Sequence, residues 1–218
     1  MTSMWPGGDG PDMVKLVLWR HGQTTYNAER RFQGQRDVPL DELGRQQAAA
    51  AAPYLAAMRP AAIFSSDLSR ASQTAEVLAG LTGLSVQLDK DLRERSGGSW
   101  EGLVEAEIIA RYPQAYAARE PDDGEPVLAV ADRAAAALAR IADSLADGSL
   151  AVVVGHGASL GLAVSRLLGI PEETRPLGPL GNCHWSVVSR RRTKWRVLAH
   201  NVGILPALAV DPRPGDGG

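Results

Sequence analysis

The chain has 218 residues, a formal net charge of -2, 44% apolar residues and 22% charged residues. These are values of an ordinary globular protein with enough chain for one sizeable core. The balance excludes a strongly cationic nucleic-acid binder and a polybasic membrane-surface protein. A single cysteine, Cys183, excludes an internal disulfide framework and a multi-cysteine metal site, and suits a reducing, cytoplasmic setting.

Residues 1–12 carry neither a basic n-region nor an apolar h-region, and are expected to be a disordered leader to a single domain over 13–205. No stretch is long enough to span a bilayer. Residues 14–19 (VKLVLW) form a short apolar run that ends at Arg20-His21-Gly22, as a strand buried on both faces would. A helix is expected over 40–58, with Asp41 as its N-cap and an interruption near Pro53. A second strand over 61–64 leads into Ser65-Ser66-Asp67, followed by a helix over 68–80 that stops at its glycine. A third strand covers 85–88 and precedes Asp91-Leu92-Arg93-Glu94. Residues 101–125 read as an irregular excursion with one short helix over 105–112. A helix over 127–145 leads to the cleanest strand, 150–154, which ends at Gly155-His156-Gly157 before a helix over 158–168. Two further strands, 184–188 and 195–199, flank a basic turn over 190–194 and predict an antiparallel hairpin at the sheet edge. Residues 206–218, rich in proline and glycine, are expected to be a flexible tail.

Alternating strands and helices predict an α/β fold, three layers in an α/β/α sandwich, with a mainly parallel central sheet and an antiparallel edge. In such sheets the functional crevice lies beyond the carboxyl ends of the strands. That rule gathers Arg20, His21, residues 66–70 with Arg70, Glu94 and His156 on one edge. Two arginines with two histidines suit a dianion, because guanidinium forks bind phosphate oxygens bidentately and stay charged. The N-termini of the helices after the second and fourth strands are expected to add N–H donors to the same anion. Histidine attacks phosphorus when neutral, and neighbouring cations favour the neutral form. Glu94 is the candidate for proton delivery to the leaving oxygen.

Other chemistries fit less well. Two histidines and one glutamate could bind zinc, but two arginines in the same cleft oppose a divalent cation, so no metal site is expected. A phosphate-binding Gly-rich loop after a strand is missing. Gly155-His156-Gly157-Ala158-Ser159 puts histidine where a hydrolase elbow needs its serine.

Arg20-His21-Gly22-Gln23-Thr24 followed by Asn27 resembles the signature of the histidine phosphatase superfamily, in its phosphoglycerate-mutase-like branch. The likeness continues through Arg31, Gln33-Gly34, Asp37 and Leu43-Gly44, then Ser65-Ser66-Asp67-Leu68-Ser69-Arg70-Ala71, Leu92-Arg93-Glu94, Gly98-Ser99-Trp100-Glu101-Gly102 and Val154-Gly155-His156-Gly157. It covers residues 14 to 200. The resemblance implies a phosphoglycerate-mutase-like fold and a phosphatase that needs no metal and no organic cofactor. His21 would be the phosphorylated nucleophile. Arg20, Arg70 and His156 would hold the phosphoryl oxygens, and Glu94 would be the proton donor and then the base for water. Asn27, Gln33 and Gly34 would line the mouth and bind substrate. Glu125-Pro126 departs from the family's usual Gly-Glu-Ser, and Gln23 from its commoner Glu. The short excursion over 103–125 favours hydrolysis over the alternative, mutase-type phosphotransfer. A second alternative is a phosphate-binding module without catalysis, which the presence of both His21 and Glu94 disfavours.

Residues 178–185 (GPLGNCHW) are similar to the glucosyl-3-phosphoglycerate phosphatases within that family. This implies a small phosphomonoester as partner, such as a phosphorylated glycerate or sugar, with no nucleic acid and no membrane. Family habit also implies a homodimer through the edge hairpin. His184 and His200 read as structural, Cys183 as a small buried hydrophobe, and the basic 190–196 segment as protection of a sheet edge.

Overall fold

The computed structural model describes residues 13–171, 174 and 177–204. The expected leader over 1–12 and tail over 206–218 lie outside them. Six strands form one mixed sheet: β1 (Met13–Arg20), β2 (Ala62–Ser65), β3 (Val86–Leu88), β4 (Leu150–Gly155), β5 (Trp185–Arg191) and β6 (Lys194–Val202). Their order is β3-β2-β4-β1-β5-β6. β1, β2, β3 and β4 run parallel, while β5 is antiparallel to β1 and to β6.

Both faces of the sheet are apolar, which is why residues 16–19 of β1 and 151–154 of β4 read as unbroken hydrophobic runs. On one face Leu16, Leu18, Val153 and Val188 pack against α6 (Val127–Asp143) and α7 (Gly157–Leu167) through Leu138, Ile141, Leu160 and Val164. On the other, Val17, Trp19, Val152, Val154 and Val187 meet α2 (Glu42–Ala57) and α3 (Ser69–Thr82) through Ala48, Ala52, Leu55, Ala75 and Leu78. Each fully buried leucine or valine contributes about 1.5–3 kcal/mol relative to exposure. The result is the three-layer α/β/α sandwich with an antiparallel edge. A third, small cluster of Trp100, Ile108 and Ala115 belongs to the excursion, which folds as α4 (Glu105–Arg111) and α5 (Pro113–Ala118). One short helix, α1 (Thr25–Ala28), follows the first strand.

Three elements differ from the sequence reading. Helix α2 runs through Pro53 without interruption. The hydrogen bond that proline forfeits would reach the carbonyl of Ala49; both residues are exposed, so water can satisfy the carbonyl. Helix α3 passes Gly80 and stops at Gly83, whose φ of 73° supplies the left-handed cap. The excursion contains a second helix, α5, started by Pro113 at its first turn.

Candidate active site

Strand β1 ends at Arg20, and the next residue is still tied to the sheet: the His21 amide donates to the Gly155 carbonyl at 3.1 Å. The His21 ring is buried, and its Nδ1 lies 2.7 Å from the carbonyl of Gly22. A carbonyl only accepts, so Nδ1 carries the proton and Nε2 is left with its lone pair. The ring of His156 stands edge-on to it with centroids 5.1 Å apart. Burial, followed by the charges of Arg70 and Arg20, holds the His21 pKa well below the ordinary imidazole value. His156 is likewise held well below it, by burial first and then by Arg70, His21 and Arg20. Both imidazoles are therefore neutral near pH 7. The loop after His21 is packed without slack, since a Cβ on Gly22 would come within 2.4 Å of the Gly44 carbonyl oxygen.

Arg70 rises from the first turn of α3 and is wholly buried. Its Nη1 donates to the carbonyl of Arg36 and its Nη2 to that of Gly34, each at 2.8 Å. Gly34 has a φ of 55°, and a Cβ there would fall on the Glu101 carboxylate, so the turn requires glycine. Burial lowers the Arg70 pKa to about 10, which leaves it a cation at neutral pH. Arg20 is held through Nη1 by the Leu180 carbonyl. His156 Nε2 lies 2.9 Å from Ser66 Oγ, which already accepts the Leu68 amide. The Ser66 hydroxyl has no other acceptor among the described residues, so its proton is assigned to Nε2, and Nδ1 of His156 then carries the ring proton. Arg20 Nε, Arg70 Nε and His156 Nδ1 are all buried without a hydrogen-bond partner in the protein. Unpaired buried donors are costly and rare. Three of them around one neutral histidine form a cradle for an anion.

Glu94 faces the same cluster, and its charge acts on both Arg20 and Arg70. Its Oε1 accepts the amides of Arg95 and Ser159, both at 2.9 Å, and its Oε2 accepts that of Ala158 at 3.0 Å. The N-terminus of α7 thus holds a carboxylate. The N-terminus of α3 does too, where Ser69 donates to Asp37 Oδ1 at 2.7 Å. The sequence reading assigned these amides to the phosphate; instead the nearest carboxylates take them, as the positive end of a helix favours. The departure at Glu125-Pro126 acquires a role here. Glu125 forms a two-pronged pair with Arg133 at 2.6 and 2.7 Å, and Arg133 donates to the carbonyls of Asp91, Arg93 and Glu94. That pair anchors the backbone that carries Glu94. Gln23 donates its amide to Asp41 Oδ2 at 3.1 Å, a contact that a glutamate would turn into like-charge repulsion.

A cavity of about 720 Å³ opens beside Arg20 and Glu94 and runs between α6 and α7 to residues 177–180. The Oδ1 of Asn27 caps α1 through Thr24 and accepts Asn182 Nδ2 at 3.1 Å. Gln33 is nearly buried with its Oε1 unpartnered. Among the described residues, no group of three or more His, Cys, Asp or Glu side chains is placed to hold a metal ion.

The sequence profile of the histidine phosphatase superfamily (branch 1) matches residues 16–203. The chain belongs to that family. The phosphatase is 40% identical over 184 residues to the glucosyl-3-phosphoglycerate phosphatase of Mycolicibacterium vanbaalenii, covering 78% of this chain and 82% of the relative. It is 42% identical over 189 residues to that of Mycobacterium tuberculosis, with 80% and 85% covered. A solved mycobacterial glucosyl-3-phosphoglycerate phosphatase in complex with VO3 superimposes with a TM-score of 0.82 at 40% identity, over 87% of this chain and 99% of that one. A protein from Escherichia fergusonii named as a probable phosphoglycerate mutase is 37% identical over 212 residues.

The structure brings His21, Arg20, Arg70, His156 and Glu94 of the phosphatase to one end of the sheet. Sequence reasoning missed Asn182 and Arg133. Asn182 Nδ2 donates to the His21 carbonyl at 3.1 Å, bridging it to Asn27, and the Cys183 amide donates to the carbonyls of Arg20 and His21. The positive φ of Cys183, 54°, turns the chain there. Its thiol is buried, and burial pushes its pKa to about 12, so it stays protonated. His200, read as structural, bridges Ser186 and the Gly178 carbonyl at 2.9 Å each and so fixes one wall of the cavity.

Proposed function

We propose that this phosphatase hydrolyses phosphomonoesters in two steps through a phosphohistidine on His21. Nε2 of His21 attacks phosphorus and the bond to the ester oxygen breaks. Arg20, Arg70 and His156 donate to the three oxygens of the phosphoryl group in transfer, and Glu94 gives a proton to the departing alkoxide. Its Oε2, which accepts one amide where Oε1 accepts two, is the oxygen with a lone pair to carry that proton. Glu94 then takes a proton from water as the water attacks the phosphohistidine, releasing phosphate and the free enzyme. The observation that carries this reading is the set of three unpartnered buried donors around a histidine whose tautomer frees Nε2. Gln33 supports it as a further contact at the mouth. Gly34 acts through its carbonyl on Arg70, and Asn27 through Asn182.

Hydrolysis is favoured over mutase chemistry because no residue of the 103–125 excursion lines the cavity, which leaves water a way in. The names of the relatives make glucosyl-3-phosphoglycerate the first substrate to test. A small ester rather than a nucleic acid fits the net charge of -2. No helix among the described residues is long and apolar enough to cross a membrane, and a cytoplasmic location is part of this proposal. So is a homodimer through the edge hairpin of β5 and β6, whose doubled mass light scattering would read. The deciding experiment traps the phosphoenzyme with a labelled ester: the parent should carry one label per chain and His21→Ala none. Turnover retained by His21→Ala would end the phosphohistidine mechanism.

A further inference from the structure

The alcohol part of an ester lies in the cavity beside Arg20 and Glu94 once its phosphate meets the cradle. Among the described residues four charged side chains line that cavity: Arg20, Glu94, Arg95 and Arg166. Arg20 and Glu94 serve the phosphoryl group. Arg95 and Arg166 have no part in that chemistry. Arg95 follows the proton donor directly in the chain and is held in place, since its Nε donates to the Glu125 carbonyl at 2.7 Å and its Nη1 to that of Arg119 at 3.2 Å. Its Nη2 is buried without a hydrogen-bond partner, and the Glu120 carboxylate stands 3.8 Å away, beyond hydrogen-bond reach. Arg166 pairs through Nε with Asp132 at 2.6 Å. Its Nη1 and Nη2 make no hydrogen bond among the described residues, which leaves both for a ligand.

A buried guanidinium N–H with no acceptor is costly, and an anion in the cavity would supply one. Each of the two arginines already shares its charge with one acid, Glu120 or Asp132. What remains suits a monoanion with two planar oxygens, which a guanidinium fork matches, better than a second dianion. We propose that Arg95, assisted by Arg166, binds a carboxylate on the alcohol part of the substrate, so that the phosphatase selects esters whose leaving alcohol is itself an anion. The proposal rests on the phosphatase reading above and assigns the residues that choose among its substrates. Both arginines grip a part of the substrate that does not react, so they bind ground state and transition state alike and act through KM.

The test compares 3-phosphoglycerate with glycerol 3-phosphate, which carries a hydroxymethyl group where the first has its carboxylate. The full chain is expected to favour 3-phosphoglycerate in kcat/KM by roughly tenfold to hundredfold, the worth of one charge-assisted hydrogen bond. Arg95→Gln should remove most of that preference by raising KM for 3-phosphoglycerate with kcat nearly unchanged. Damage to the loop that carries Glu94 would instead slow both esters and leave their ratio alone. Arg166→Gln is the second variant, safe for the fold because its side chain is 59% exposed. That exposure limits its effect on the ratio to about twofold to fivefold. A fall in the ratio in either variant supports the subsite. Equal kcat/KM for the two esters in the parent, or a ratio that neither variant moves, would overturn the inference and leave the phosphatase standing. No turnover on any ester, p-nitrophenyl phosphate included, would overturn both.

Discussion

Replacing Arg70 by lysine and by glutamine separates the two things its guanidinium does. Nη1 and Nη2 each spend an N–H on the carbonyls of Arg36 and Gly34 at 2.8 Å, and Nε has no partner in the protein and is free for the transferring group. Lysine keeps the charge but has no fork, so it cannot satisfy two carbonyls and present a third donor. Loss of one preorganised donor to the transition state costs about 10²–10³ in kcat, or roughly 3–4 kcal/mol. Arg70→Lys should show that loss on p-nitrophenyl phosphate with the His21 pKa still low. Arg70→Gln loses the charge as well. Burial is the first cause of the depressed His21 pKa and Arg70 the second, so only part of the depression should be relieved. The direction is upward, because a neighbouring cation disfavours imidazolium and its removal lets His21 bind a proton at higher pH. Ring nitrogen chemical shifts between pH 4 and 8 read this directly in the free enzyme. A lysine variant as active as the parent, or a His21 titration that coincides in parent and Arg70→Gln, would refute the reasoning.

Glu94→Gln should slow alkyl phosphates by about 10²–10⁴ and p-nitrophenyl phosphate far less, because only a poor leaving group needs the proton; equal losses on both esters would remove Glu94 from that role. Vanadate should compete with substrate in the parent and bind at least tenfold more weakly to Arg70→Lys, as inhibition kinetics would show; indifference to vanadate would count against the cradle. The Arg93 hydrogen bonds at 2.6 and 2.7 Å hold the Asp67 carboxyl below its usual range. A depressed carboxyl stabilises the fold above its unfolded pKa of about 3.9 and loses that contribution as pH falls through the folded value. Asp67→Asn should therefore cost about 1 kcal/mol in urea unfolding at pH 7, with the partial exposure of the pair limiting the effect. The cost should shrink at pH 3, and a difference equal at both pH values would contradict the assignment.

The sheet was legible because residues 16–19 of β1 and 151–154 of β4 are buried on both faces and carry no polar side chain. The strand-end rule then gathered His21, Arg70, Glu94 and His156 from residues far apart in the chain. What escaped depended on the water side of a helix or on long-range partners. Pro53 breaks nothing because its lost bond faces solvent. The amides of α3 and α7 go to Asp37 and Glu94, and no local pattern announces that those carboxylates arrive there. Asn182 lies 161 residues from the carbonyl it braces, and Arg133 lies 39 from the Glu94 carbonyl. Such contacts are set by how the sheet closes and leave no periodic trace.

The place of β1 in the sheet bears on how the enzyme fails when heated. This strand is flanked by β4 on one side and β5 on the other, and residues 16–19 have almost no exposure. Strands of that kind exchange their amide hydrogens only through global unfolding. His21, fastened to Gly155 and to the 182–183 turn, rides on the part of the molecule that opens last. Helices α4 and α5, with only the small Trp100 cluster beneath them, have far less to hold them. Fraying there leaves the nucleophile in place, so thermal inactivation tracks the melting of the whole domain.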